Sequence, residues 1–273
     1  MTGGAVDVLA SGVAANPGPL TLDGTRSYVL GRTKAVLIDP GPPGAEQVRR
    51  LVRMAADRTV TTICLTHAHA DHAGCAMEAA AALGADVAAS AATLKRLGLG
   101  GIELTGGEFV EFDDGPGRIR AIATPGHAAD HLCFLWTEER ILFTGDLVLG
   151  EGTTAILHPD GHMGSYLESL EAVLRLAPTR LLPGHGEPVD DPEARIRHIL
   201  RHRRAREEEI ERAIAAGERS VDGIRRRVYG ELEAGLEAAA GASVRAHVVH
   251  LRERGRETGR IRGLDPDQKE VSR

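Results

Sequence analysis

Short apolar runs alternate with helical spacings through the first 200 residues. Ser27–Leu30 and Ala35–Ile38 flank the polar turn Gly31-Arg32-Thr33-Lys34 and predict paired strands, ended by Asp39-Pro40-Gly41-Pro42-Pro43. Within 44–57, Val48, Leu51, Val52 and Ala55 recur at helical intervals and predict an amphipathic helix. Val60–Leu65 predicts a buried strand and Cys75–Leu83 an alanine-rich helix. Further strands are predicted at Asp86–Ala89, Phe109–Phe112, Arg118–Ala123, His131–Trp136, Ile141–Phe143 and Arg180–Leu182, with a helix at Gly164–Leu176. Strands that alternate with helices in places and run consecutively elsewhere predict a layered α/β domain with mixed sheets.

The pattern changes after Val189. Asp191-Pro192-Glu193 has an N-cap acid, a proline at the first helical position and an acid in the first turn, so a helix starts there. It is predicted to run to Ala216, where Gly217 stops it. Ser220–Gly230, Glu231–Gly241 and Ser243–Arg254 predict three short helices, and Gly259-Arg260-Ile261-Arg262-Gly263 a hairpin tip within 255–263. Three helices and a basic wing predict a winged-helix-like module at 217–273. Residues 1–216 then form the main domain, with 191–216 as its linking helix.

Charge follows the same division. The 273 residues carry a net charge of −6, yet residues 1–200 hold 16 basic and 25 acidic side chains against 17 and 14 in the remainder. A tail at +3 is far from a polybasic nucleic-acid arm, and it holds one aromatic, Tyr229, where single-strand binders use several. The tail arginines Arg225, Arg226, Arg227, Arg252, Arg254, Arg256, Arg260 and Arg262 read equally as a phosphate-tracking surface or as a solvated Arg/Glu face. Three scattered cysteines, no basic-then-apolar start and no long apolar run lead to the expectation of a cytoplasmic protein without membrane contact.

The chemistry is concentrated in Thr66-His67-Ala68-His69-Ala70-Asp71-His72, directly after the strand Val60–Leu65. Residues two apart in an extended stretch face the same side, so His67 and His69 can converge on one ion. Asp71 and His72, beyond a turn, are free to face a second. Neutral imidazole and carboxylate suit zinc and related divalent metals. Three further strands end in Thr124-Pro125-Gly126-His127, Thr144-Gly145-Asp146 and Pro183-Gly184-His185-Gly186, each placing a ligand type beside a glycine.

These residues resemble the metallo-β-lactamase superfamily, whose pattern is His-x-His-x-Asp-His followed by a His, an Asp and a His. The resemblance implies a four-layer αβ/βα sandwich with the site at one edge. It also implies that His67, His69 and His127 bind one metal, that Asp71, His72 and His185 bind the second, and that Asp146 bridges them. The implied cofactor is two Zn²⁺, with Mn²⁺ or Fe²⁺ as alternatives. A hydroxide shared by the metals is then the nucleophile, with Asp71 accepting its hydrogen bond as a catalytic residue. Asp146 stands where the main zinc β-lactamases carry cysteine, and His69 where the diiron flavoproteins carry glutamate, so neither group is expected.

The chain is further similar to the β-lactamase-like protein two family, some of whose members are endoribonucleases. The matching stretches are Asn16-Pro17-Gly18-Pro19, Leu149-Gly150-Glu151-Gly152-Thr153-Thr154, Tyr166-Leu167-Glu168-Ser169-Leu170 and Pro183-Gly184-His185-Gly186. Polyketide-releasing thioesterases are similar to the same group. Ala68, where relatives often carry a bulkier residue, is a departure at the pocket rim. The resulting expectation is a phosphodiesterase acting on single-stranded RNA. The alternatives are an acyl-thioester hydrolase and, from another class, a nucleic-acid-binding regulator whose metal domain has lost catalysis. His158, His162, Thr153 and Thr154 are candidate substrate contacts. Asp39 and Asp130 are candidate partners of a ligand histidine, while His131 is expected to be structural.

Overall fold

A computed structural model describes residues 8–113, 117–232 and 236–264. The first sheet has six strands in the order β1 (Leu9–Val13), β2 (Arg26–Leu30), β3 (Lys34–Ile38), β4 (Thr59–Cys64), β5 (Asp86–Ala89) and β6 (Ile102–Glu103). Its first three strands run antiparallel and β3 to β6 are parallel. Helices fill the crossovers: α1 (Ala45–Ala55), the short α2 (Ala70–Ala73), α3 (Ala76–Leu83) and α4 (Ala91–Leu97). The second sheet contains β7 (Phe109–Glu111), β8 (Arg118–Ala123), β9 (Leu132–Trp136), β10 (Ile141–Gly145) and β11 (Arg180–Pro183). It is antiparallel except for β10 with β11, which α5 (Met163–Leu176) joins as a crossover.

The two-residue period of each strand builds the layers. In β3, Val36 and Ile38 face a cluster that holds Phe134 and Phe143 of the second sheet, while Ala35 and Leu37 face Leu51 and Ala55 of α1. On the outer face of the second sheet, Cys133, Leu142 and Leu181 meet Tyr166, Leu170 and Val173 of α5. Ile196, Ile199 and Leu200 of the long helix α6 (Pro192–Ala215) join the same cluster. The result is the expected four-layer sandwich. Each fully buried aliphatic or aromatic side chain contributes about 1.5–3 kcal/mol to it.

The tail departs from its expectation. The predicted helices Glu231–Gly241 and Ser243–Arg254, in part outside the described residues, are one helix, α8 (Leu236–Glu253), which follows α7 (Val221–Tyr229). Gly241 sits inside α8, buried against α7, with Val221 Cγ1 3.9 Å from where a Cβ would lie. No wing hairpin forms among the described residues, where Arg262 makes a single bridge to Ser220 just before α7; residues 265–273 of the expected module lie outside them. Ile210 and Ile214 of α6, Ile224 of α7, Val244, Val248 and Leu251 of α8, and Ile261 close an apolar cluster. β1, β6 and α4 also lack a predicted counterpart, being short segments with weak periodicity. No described helix is long and apolar enough to cross a membrane.

Candidate metal centre

All four strands that carry the candidate residues end at one edge of the sandwich. β4 leads through Thr66 to His67, and His69 is the N-cap of α2, whose first turn bears Asp71 and His72. β8 leads to His127, β10 to Asp146 and β11 to His185. Two glycines let these ends approach. A Cβ on Gly184 would lie 2.5 Å from His72 Cε1, and one on Gly145 (φ +47°) 2.7 Å from Thr66 Oγ1.

The seven side chains form two adjoining lobes. In the first, His69 Nδ1 lies 2.9 Å from His67 Nε2 and 3.0 Å from His127 Nε2. In the second, His185 Nε2 lies 3.1 Å from His72 Nε2 and 3.2 Å from Asp71 Oδ2. Asp146 stands between them. Its Oδ1 faces His72 Nε2 at 3.2 Å and His185 Nε2 at 3.4 Å, while its Oδ2 faces His127 Nε2 at 3.5 Å.

Electrostatics keep the carboxylates ionised. Burial favours neutral Asp146, but the facing His72, His127 and His185 outweigh it and hold the carboxyl far below its usual range. Burial also opposes the Asp71 anion, yet His185 and His72 draw its pKa down. His67 moves below the usual imidazole value, first through burial and then through His72, His127, His131 and His69. It is therefore neutral, with a lone pair to offer. His72 moves upward, because Asp146 and Asp39 overcome its burial.

This donor set fits divalent cations. Nitrogens that point at one another about 3 Å apart cannot all be satisfied by shared protons, and Asp146 Oδ1 is buried with no hydrogen-bond partner. Donors around a tetrahedral zinc with bonds near 2.0–2.1 Å stand about 3.3 Å apart, close to the spacings here. Among the described residues three groups could each hold an ion: His67, His69 and His127; His67, His72 and Asp146; and Asp71, His72 and His185.

The surroundings fix the ring orientations. Asp39 Oδ2 lies 2.8 Å from His72 Nδ1 and accepts from Thr66 Oγ1 at 2.7 Å, while Asp39 Oδ1 accepts from the Thr66 amide. His127 Nδ1 donates to Ala155 O and His185 Nδ1 to Gly24 O. Asp130 meets no imidazole: it accepts from the Ala68 amide and Thr93 Oγ1, so it braces the loop and not a ring. His131 accepts from the Asp146 amide and contacts Thr124 Oγ1. Asp160 Oδ2, which the sequence did not single out as a partner, lies 3.4 Å from His69 Nε2 and is held by Arg96. Its signal was only its place in a Pro/Gly loop.

A cleft of about 210 Å³ opens onto His69, Asp71, His127 and Asp146. Thr153 and Thr154, the candidate substrate contacts, line it, and Thr154 Oγ1 donates to Asp146 O. His158 and His162 do not line it. His162 caps α5 by accepting from the Ser165 amide, and its Nε2 meets Glu253 of α8. The rest of the wall is Glu151, Gly152 and six apolar residues, Pro19, Leu20, Leu22, Leu149, Ala155 and Leu157. Leucines outside any regular element carry no periodicity, so sequence reading missed them.

The sequence profile described as Metallo-beta-lactamase superfamily matches residues 20–185. A Beta-lactamase-like protein 2 homolog of Caenorhabditis elegans is 35% identical over 210 residues, covering 71% of this chain and 67% of the relative. An Atrochrysone carboxyl ACP thioesterase of Aspergillus fumigatus is 31% identical over 212 residues, covering 75% and 65%. The chain therefore spans about two thirds of the length of these relatives. A solved metallo-beta-lactamase family protein from Thermus thermophilus superposes with a TM-score of 0.74 at 22% identity, covering 91% of this chain and 94% of that one.

Proposed function

Since the chain belongs to the metallo-beta-lactamase superfamily and is a metal-dependent hydrolase, we propose that it hydrolyses acyl thioesters at a centre of two divalent cations, zinc being the first candidate. The observation that carries this reading is the cleft wall. It has six apolar residues, with the half-exposed Leu20 at its lip, and no lysine or arginine. An acyl chain gains about 25 cal/mol per Å² of apolar surface buried there, whereas a phosphodiester finds no cationic side chain.

His67, His69 and His127 would hold one ion and Asp71, His72 and His185 the other, with Asp146 between them. When bound, the cations lower the pKa of water and offset negative charge developing on the attacked carbonyl. Asp71 is partly exposed and ionised, so its carboxylate accepts a hydrogen bond from the attacking water and orients it. A thiolate, with a pKa near 8.5, leaves without a proton donor. That suits a cleft whose titratable groups are His69, His127, Asp71, Asp146 and Glu151. The thioesterase name of one relative points the same way.

RNA cleavage is the competing reading, supported by the similarity to the β-lactamase-like protein 2 group and by the basic tail. There Arg225 and Arg226 pair with Asp222, Arg254 with Glu207 and Arg256 with Glu211, which is the pattern of a solvated Arg/Glu face. The complete donor set also argues against a regulator with decayed catalysis. The test is a metal-loaded panel of a long-chain acyl-thioester, single-stranded RNA and a β-lactam, with Asp146→Ala as control. Thioester turnover that disappears in Asp146→Ala is expected. RNA cleavage lost in that variant, with thioester untouched, would overturn the reading.

A further inference from the structure

One wall of the cleft is held by the long helix α6, on the outer face of the second sheet. Residues 149–157 form no helix or strand, yet Leu149, Glu151, Gly152, Thr153, Thr154, Ala155 and Leu157 line the cleft. Backbone carbonyls of such a segment need donors from elsewhere. Two arginines of α6 supply them. Arg195 donates from Nε and Nη2 to Leu149 O at 3.2 and 2.9 Å, and from Nη2 to Gly152 O at 2.7 Å. Arg203, only 4% exposed, donates from Nη2 to Thr154 O, and its guanidinium lies 5.5 Å from the centre of the Tyr166 ring.

The two donors are held rigidly. Ile196, Ile199 and Leu200, between them on α6, are packed into the cluster on the outer face of the second sheet. The segment they grip is in turn tied to the metal centre, through Thr154 Oγ1 to Asp146 O and through Ala155 O to His127 Nδ1. A planar guanidinium suits this work, since it presents several donors in a fixed fork and holds its charge when partly buried.

We propose that Arg195 and Arg203 are positioning residues that clamp 149–155 as the wall of the substrate cleft, so that α6 sets which acyl groups fit. The acyl part of this inference rests on the thioester reading, while the clamp itself does not. Both parts are separable by experiment. The Gly150 amide, which donates to His185 O at 2.9 Å, reports on the segment by hydrogen exchange without any substrate.

Arg195→Met, Arg195→Lys and Arg203→Met are compared with wild type in metal content, exchange at 147–157 and acyl-thioester kinetics across chain lengths. Losing charge-assisted hydrogen bonds should speed exchange at Gly150 at least about tenfold in Arg195→Met, with β4 and β9 amides unchanged and both metals retained. KM for the best acyl chain should rise more than kcat falls, and its length preference should broaden. Arg195→Lys, able to reach one carbonyl, should restore part of each change. Wild-type exchange in a folded Arg195→Met overturns the clamp, and should Arg203→Met fail to fold, Arg195→Met decides alone. Faster exchange with an unchanged chain-length profile overturns the selectivity role. Absence of any thioester turnover in wild type counts against the thioester reading and leaves the exchange result to judge the clamp.

Discussion

Asp39 shows how much one side chain carries. It is buried, it adopts a left-handed φ of 49°, and both its oxygens are committed to Thr66 and His72. Asparagine tolerates the same backbone but replaces one acceptor oxygen with a donor. Asp39→Asn should therefore keep the fold while lowering metal affinity about 10- to 100-fold, measured by competition with a chromophoric chelator. Unchanged affinity would show that His72 needs no carboxylate behind it. The seven donor positions are legible in the sequence because each is a ligand residue type at a strand end, a conjunction that chance rarely produces. Asp39 is only half legible, since an Asp before Pro-Gly reads equally as a turn residue. The Arg96–Asp160–His69 contact is not legible, because 64 and 91 positions separate Asp160 from its partners and nothing local marks them.

Among the elements, α6 is the one the sequence announces best and α8 the one it divides wrongly. Asp191 Oδ1 accepts from the Ala194 amide, as an N-cap acid should, and Pro192 follows at the first position. Asp191→Ala should cost about 1 kcal/mol, read as a lower denaturant midpoint with unchanged slope. An unshifted midpoint would place the helix start under the control of packing alone. At Gly241-Ala242 the glycine suggests a break, yet an internal glycine costs only about 1 kcal/mol relative to alanine. The buried residues Val244, Val248 and Leu251 on the same helix offset that penalty. Tertiary packing thus overrides the local signal in the tail; among the described residues the expected wing shows only a single bridge, Arg262 with Ser220.

For the whole molecule, the acidic balance of residues 1–200 is misleading about the site. Two divalent cations would add four positive charges to a set of seven donors that includes two anionic carboxylates, Asp71 and Asp146, so the donors with their ions would together be net positive. Ions that bind only the folded chain also stabilise it, by about 2.7 kcal/mol at a hundredfold excess over Kd. Chelation should accordingly lower the Tm of the wild type in proportion to prior loading, and leave Asp146→Ala, already unable to hold the pair, where it was. Equal shifts in both proteins would mean the stabilising ions sit elsewhere. The four layers are legible in outline from strand periodicity, whereas the stacking of sheet on sheet depends on contacts such as Tyr28 with Phe143, 5.2 Å between ring centres, that no local pattern encodes.

The donors divide by sheet. His67, His69, Asp71 and His72 follow strands of the first, and His127, Asp146 and His185 follow strands of the second. Neither half owns a lobe of its own, since His127 completes one and His185 the other. High-affinity loading must then wait until the two halves have docked, which makes ion capture a late event in folding and not its nucleus. Refolding rates should be indifferent to the presence of metal, while unfolding of the loaded protein slows. An ion held by donors from both halves would act as a latch on the closed sandwich, added to the apolar contacts between the sheets.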